Sequence, residues 1–433
     1  MYLFLLTLSL NPWWTAYGDP QLNTLVEHAL QANLDLRVAS ARVKEARALT
    51  GEAQSRLLPA LNLTSSAGRL RGGFQQGIAR IPSMSGAAPS GSFVAPFETG
   101  IFQGGLDTRW ELDFFGQNRA GLAAARADRQ AQDELREDTA LLVSAEVAQA
   151  YLELRGLNER VAIVERSRDA QRELLELTRA RAEAGLASEL DVERQATLLA
   201  NTEATLPPLE AERALRRHRL GVLLGDQRTE VQVSDAALQS PPLPIAFDAN
   251  LLKRRPDVRA AEARIAAAQS RFKQARTDLF PKLVLNGLMG RQATSVGGFT
   301  LGGGNFFNVA PQLQLPIFSG GRIRANIAAQ DARREQAELD YEREILAAYE
   351  EAANAVETYR RQQERARSLT TAQASAARSL TLSEELQRAG LGDFLAVLDA
   401  QRTLLEAEFQ RSAAQTSALV ESVRLHKALA GGW

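Results

Sequence analysis

The segment Ile101–Phe114 alternates with a period of two. Phe102, Gly104, Leu106, Thr108, Trp110, Leu112 and Phe114 fall on one face, and Gln103, Gly105, Asp107, Arg109, Glu111 and Asp113 on the other. That period predicts a strand with one apolar and one wet face. Asn308–Ile317 repeats it, with Val309, Leu313, Leu315 and Ile317 set against Asn308, Gln312 and Gln314. Leu283, Leu285 and Met289 alternate with Lys282 and Asn286, and Leu57–Ala67 carries the weakest version. Outside these segments the period is helical. Leu22–Arg56 and Ala249–Leu279 are dense in Ala, Arg, Glu and Leu, and each predicts a helix ended by a proline, Pro59 or Pro281. Asn118–Ala184 and Arg322–Ala389 contain no Pro and, between them, only Gly121 and Gly156. They predict unbroken helices of about 100 Å each, several times the length of an average globular helix. A Gly-containing turn and a returning helix follow each one. The first returning helix, Ser188–Leu224, is expected to break at Pro207-Pro208.

The same order of elements occurs twice. Asn33–Leu63 aligns on Arg255–Leu285 without gaps, with 11 of 31 positions identical, among them Asp35/Asp257, Arg37/Arg259, Pro59/Pro281 and Leu61/Leu283. Ala184-Gly185-Leu186 is echoed by Ala389-Gly390-Leu391. Two echoes in one order argue for a tandem duplication. The chain therefore divides into a first repeat over 13–240 and a second over 241–433, each a helix, a strand pair and a long helical hairpin. The linker falls in Gly225–Asn250, around Pro241, Pro242 and Pro244. Residues 1–12 stand apart: Tyr2–Leu10 is apolar but about half the length of a membrane-spanning helix, and reads as a residual signal peptide or a mis-called start.

No stretch after that reaches the roughly 18 uninterrupted apolar residues of a transmembrane helix, so any crossing of a membrane is made by strands. Apolar faces opposite Asp107, Arg109, Glu111 and Asp113 fit lipid on one side and a wet lumen on the other. Segments of roughly 10 residues match a tilted spanning strand. Four strands cannot close around a channel, and an open sheet edge is not tolerated in lipid. Several chains must therefore contribute to one barrel, and the outer membrane of a diderm bacterium is its natural place.

Composition narrows the function further. Of 433 residues, 51 are basic and 52 acidic, a net charge of -1 that argues against a nucleic-acid partner. The chain has no Cys, which excludes disulfides, thiolate metal sites and Cys nucleophiles. His28, His218 and His426 are scattered, with no motif around them. No phosphate-binding loop, nucleophile elbow, zinc motif or dinucleotide fingerprint occurs. The expectation is a protein that is not an enzyme and needs neither cofactor nor metal.

Several further motifs carry a resemblance: Trp13-Trp14 with Tyr17-Gly18-Asp19-Pro20, Leu30 to Arg47, Trp110-Glu111-Leu112-Asp113-Phe114-Phe115-Gly116, Ala184-Gly185-Leu186-Ala187-Ser188, Leu190-Asp191-Val192, Arg254-Arg255-Pro256-Asp257-Val258, Pro316-Ile317-Phe318-Ser319-Gly320-Gly321-Arg322 and Leu398-Asp399-Ala400-Gln401-Arg402. In number, order and spacing, from about Trp13 to the C-terminus, the chain resembles the TolC-like outer membrane efflux family, and within it the lipoprotein branch serving resistance-nodulation-division pumps. The resemblance implies an α+β membrane protein. Its long helical hairpins would form a periplasmic α-barrel, and its four strands would join those of two more copies in a trimeric, 12-stranded β-barrel. It implies passive export of small molecules, powered by an inner-membrane resistance-nodulation-division transporter through a periplasmic adaptor. The lipoprotein branch carries an acylated Cys ahead of the Trp-Trp motif; its absence here is expected to reflect a truncated gene model.

The resemblance also assigns roles. Gly185, Leu186, Ala187 and Ser188, with Gly390, Leu391 and Gly392, would form the tips that receive the adaptor; as helix ends the glycines have a structural role as well. Asp399 would contribute to a carboxylate ring at the closed tip, where like charges repel and cations collect. A second acid three positions earlier, frequent in the family, is Ala396 here. Asp191 would hydrogen-bond in a latch whose usual Tyr is replaced by Gln387. Pro59 and Pro281 would mark helix-to-strand transitions, and Gly116, Gly320 and Gly321 the reverse. The Gly/Pro-rich loop Gly72–Ser92 would face outside. Two other functions fit parts of the pattern: a channel for protein secretion, and a coiled-coil scaffold, which would not need the amphipathic strands.

Overall fold

The computed structural model describes residues 11–74, 95–226, 233–234, 238, 241–242, 253–296 and 299–430. The segment 1–10 of the expected leader, most of the loop Gly72–Ser92 and most of the linker Gly225–Asn250 lie outside the described residues. The chain forms two compact units: one from the described residues of Met1–Glu45, Arg129–Ile265 and Ala337–Trp433, the other from those of Ala46–Asp128 and Ala266–Gln336.

The second unit contains the sheet. Strands β1 (Ala60–Phe74), β2 (Ala95–Leu112), β3 (Lys282–Val296) and β4 (Phe299–Gln314) lie in the order β1-β2-β3-β4, every neighbour antiparallel. The ladder slips by one residue at Thr294/Ser295, and β1 and β4 are its edges. The adjoining helix segments pack on small residues. Thr50 donates to the carbonyls of Ala46 and Ala125, and a Cβ on Gly121 would lie 3.0 Å from the Gln274 amide. Arg271 pairs with Asp128, Gln117 donates to Asp278, and Phe115 stacks on Phe280 at 5.0 Å.

The first unit is helical. A 3-10 turn (Trp13–Tyr17) leads into α1 (Pro20–Ala32), capped by Asp19, whose carboxylate accepts from the Gln21 and Leu22 amides. The single helix expected over Leu22–Arg56 is divided there. Asn33 stops α1 and caps α2 (Leu34–Ser55) by accepting from Asp35 and Leu36, while its own amide donates to the Leu223 carbonyl. The long helices α3 (Gln117–Glu183) and α7 (Arg322–Arg388) each run 67 unbroken residues, within one residue of the stretches read from the sequence. The returning helix is α4 (Glu189–Ala204) and α5 (Leu206–Leu223), broken at Thr205 just ahead of Pro207-Pro208. In the second half the elements are α6 (Pro256–Thr277) and α8 (Phe394–Ala428). The largest core gathers Trp13, Trp14, Tyr17 and Leu22 with Tyr151, Leu220 and Val423. No described helix is long and apolar enough to cross a membrane.

Candidate functional site

Strand register sorts the sheet into two chemically different faces. Directly paired rows on one face read Leu112–Leu283–Leu313, Trp110–Leu285–Pro311, Leu61–Thr108–Gly287–Val309 and Leu63–Leu106–Met289–Phe307. Leu61, Leu63, Leu106, Met289, Phe307, Val309 and Leu313 are all exposed on the single chain, as are Leu315, Ile317 and Phe318 just below β4. The opposite face carries Asn62–Asp107–Leu288–Asn308, Ala60–Arg109–Asn286–Ala310 and Glu111–Val284–Gln312. On it Asn62 donates to Asp107 at 3.1 Å and Asn286 to Gln312 at 3.2 Å. A bare apolar face this broad would be a liability in water and is what lipid requires.

Asp113 is the departure from the alternation. Its carboxylate accepts from the backbone amides of Asn118 and Arg119 and pairs with the Arg119 side chain at 3.2 Å. It therefore caps α3, where the helix dipole favours an anion, instead of extending the wet face. At the strand-to-helix junctions Gly116, Gly320 and Gly321 have φ of +81°, +58° and +86°, a region costly for any residue with a Cβ. Pro59 and Pro281 each immediately precede a strand, beyond the end of α2 and α6.

The two hairpin turns use one geometry. Gly185 (φ +73°) and Gly390 (φ +75°) adopt the left-handed conformation. Gly185 N–H donates to Ala182 and Leu186 N–H to Arg181; Gly390 N–H donates to Gln387 and Leu391 N–H to Leu386. This bonding closes a helix C-terminus in a Schellman motif. It leaves Leu186 and Leu391 at 78% and 79% exposure. Ser188 then caps α4, and Asp393 caps α8 by accepting from Leu395. Ala187 is half-buried, and a Cβ on Gly392 would lie 3.0 Å from Leu386.

Asp191 is engaged locally. It and Ser188 form a reciprocal capping box, with Ser188 Oγ donating to its carboxylate at 2.6 Å. Among the described residues no hydrogen bond joins Asp191 to Gln387. Asp399 is exposed on α8 and accepts from Arg402 at 2.9 Å. It lines a groove of about 440 Å³ between α4 and α8 with Glu193, Arg194, Leu198, Leu395 and Arg402. Two guanidinium groups thus share the groove with two carboxylates.

Other polar residues act inside the helical unit, and of these only Asp19, Arg255 and Asp257 stand in motifs visible in the sequence. Fully buried Asp19 accepts from Tyr151 Oη at 2.8 Å and from Arg155 at 3.2 Å; burial pushes the Tyr151 phenol up to about 12. His426 stacks on Trp13 at 5.0 Å, and burial pushes its pKa down to about 4. Arg255, from the Arg-Arg-Pro-Asp motif, binds Asp257, Glu351 and the Ala428 carbonyl. Burial opposes its charge, but the Asp257 and Glu351 bonds outweigh that and hold it protonated. Nearby, burial and the Asp257 carboxylate push Asp138 up to about 6. These groups fasten the start of α6 to α7 and α8. Among the described residues no cluster of potential metal ligands occurs.

Comparison with known proteins agrees with this geometry. The outer membrane efflux protein family matches residues 25–226 and 249–431. The pyoverdine export outer membrane protein OpmQ of Pseudomonas aeruginosa is 33% identical over 431 residues, 98% of this chain and 88% of that protein. The structure of the outer-membrane channel OprN superposes with a TM-score of 0.84 at 34% identity, covering 98% of this chain and 94% of the other. The open state of the Neisseria gonorrhoeae MtrE outer membrane channel gives 0.83 at 26%, covering 98% and 92%. With long helices, a four-stranded sheet of two-faced strands and a match over nearly its whole length, the chain belongs to the outer membrane efflux protein family, whose members are channels of efflux pumps and not enzymes.

Proposed function

We propose that three copies of this chain close one 12-stranded β-barrel in the outer membrane, continue as a helical tunnel into the periplasm, and conduct small molecules outward. The observation that carries this reading is the open four-stranded sheet, with its apolar face bare and edge strands β1 and β4 at its margins. In lipid each edge must find a strand, and β1 of one copy beside β4 of the next supplies an antiparallel partner. The exposed Leu186 and Leu391 turns are the contact for a periplasmic adaptor, which joins the channel to an inner-membrane resistance-nodulation-division transporter. The conduit itself supplies no energy, and substrate choice rests with the transporter. The parallel element order of the two halves supports a duplicated chain, 13–240 and 241–433.

At the tip, Asp399 is the gating carboxylate, moderated by Arg402. Asp191 and Gln387 form a weak latch that competes with the Asp191 capping box. Native mass measurement of the detergent-solubilised protein tests the assembly. Three times the 47.2 kDa chain mass is expected; a folded monomer or dimer as the only species would refute the closed barrel.

A further inference from the structure

Toward the end of the sheet away from the helices, arginines enter the apolar face, with exposed Phe102 in the row between Arg291 and Arg69. Along β4 and its extension the side chains of Phe307, Val309, Pro311, Leu313, Leu315 and Ile317 share that face. They span roughly 10 residues, the length of a tilted strand across the hydrocarbon. The next row, on the side away from the helices, is Ser65–Gly104–Arg291–Asn305, and two rows further Arg69 lies opposite Gly100. Arg291 and Arg69 are exposed, and among the described residues no hydrogen bond or ion pair engages either. No Asp or Glu shares this face in those rows. Asp107 and Glu111 lie on the other face, and one row beyond Arg69 the register sets Arg71 opposite Glu98, so three arginines stand against one carboxylate at this end of the lipid side.

A cation is costly at the bilayer midplane of a barrel and tolerated at the interface, so the position of Arg291 fits the outer boundary of the belt. Two strands and four residues separate it from Arg69, about 16 Å between Cα atoms at ordinary sheet spacing. Two guanidinium groups so placed span a distance on the order of one phosphorylated disaccharide headgroup, and guanidinium binds phosphate in a bidentate fork.

We propose that Arg291 and Arg69 form a binding site for the phosphates of an anionic outer-leaflet glycolipid, which fixes the height of the barrel in the membrane. The inference rests on the membrane-spanning trimer proposed above. To test it, the purified, delipidated full chain is incubated in nonionic detergent with diphosphorylated lipid A or with phosphatidylcholine, and retained lipid is measured after gel filtration. The wild type is expected to retain lipid A about tenfold more tightly than the Arg69→Gln/Arg291→Gln double variant, with the difference shrinking at high salt. Arg109→Gln, a charge loss on the opposite face, should retain lipid A like the wild type, and the Arg69→Lys/Arg291→Lys variant should recover part of the binding. Equal retention of lipid A by wild type and the Gln double variant, or equal retention of phosphatidylcholine and lipid A by the wild type, would overturn the site. Trimer mass and pore formation in the same samples report on the spanning reading separately, and neither should change in the variants.

Discussion

His426 shows how one buried side chain couples this fold to acidity. Its ring lies against Trp13 and Tyr17, and burial lowers its pKa from 6.5 to about 4. The folded state therefore keeps the imidazole neutral where the unfolded chain would already be protonated. Stability from this residue is fully present above pH 6.5 and is lost as pH falls towards 4, by up to about 3 kcal/mol. Urea unfolding of the wild type and His426→Phe at pH 7.5 and pH 5 checks the sign: the wild type should lose more stability on acidification than the variant. The same residue marks a limit of the sequence. Nothing around His426 distinguishes it from His28 or His218, because its partners Trp13 and Tyr17 lie some 400 positions away. Asp19 was visible as part of a motif, but its bonds to Tyr151 and Arg155 were not. Asp113 alternates like a lumen residue and is a helix cap, because local backbone amides compete for its carboxylate.

At the scale of elements, sequence pattern and structure agree more closely. Two long stretches without proline gave helices that match to within a residue, since only glycine and proline punctuate such sequences. Period-two alternation located the four strands, although their outer ends extend past the segments that alternate cleanly. The break at Asn33 was missed, because its side chain caps one helix and reaches Leu223 at the same time, a tertiary contact with no local signature. Helix contacts follow small residues. A Cβ on Gly156 of α3 would lie 2.0 Å from the Thr416 hydroxyl of α8, so the two helices meet at a point that only glycine allows. Gly156→Ala is expected to destabilise the helical unit by about 1–3 kcal/mol through overpacking. Thr416→Ala in the same chain should restore part of that loss. Thermal denaturation of the two variants and their combination decides it; additive losses would mean that the contact is not the cause.

As a whole molecule, a single chain leaves several surfaces unfinished. The rows Leu63–Leu106–Met289–Phe307 and Leu61–Thr108–Gly287–Val309 need lipid, the edge strands need neighbours, and Leu186 and Leu391 stand exposed at their turns. Each need was legible as an amphipathic pattern or a motif, but the number of chains that meets it was not, because a single sequence encodes the strand and not the count. Four strands per chain require more than one copy, and three is the number proposed above. The carboxylate expected at the constriction, Asp399, has Arg402 at 2.9 Å and Arg194 in its groove. Its grip on cations is therefore weaker than a bare carboxylate ring would give. The most direct measurement is single-channel conductance of the purified full chain in planar bilayers, wild type beside Asp399→Ala. Small, steady, cation-selective currents are expected, and they should lose selectivity and grow on removing Asp399. A folded, trimeric protein that inserts no pore would contradict it.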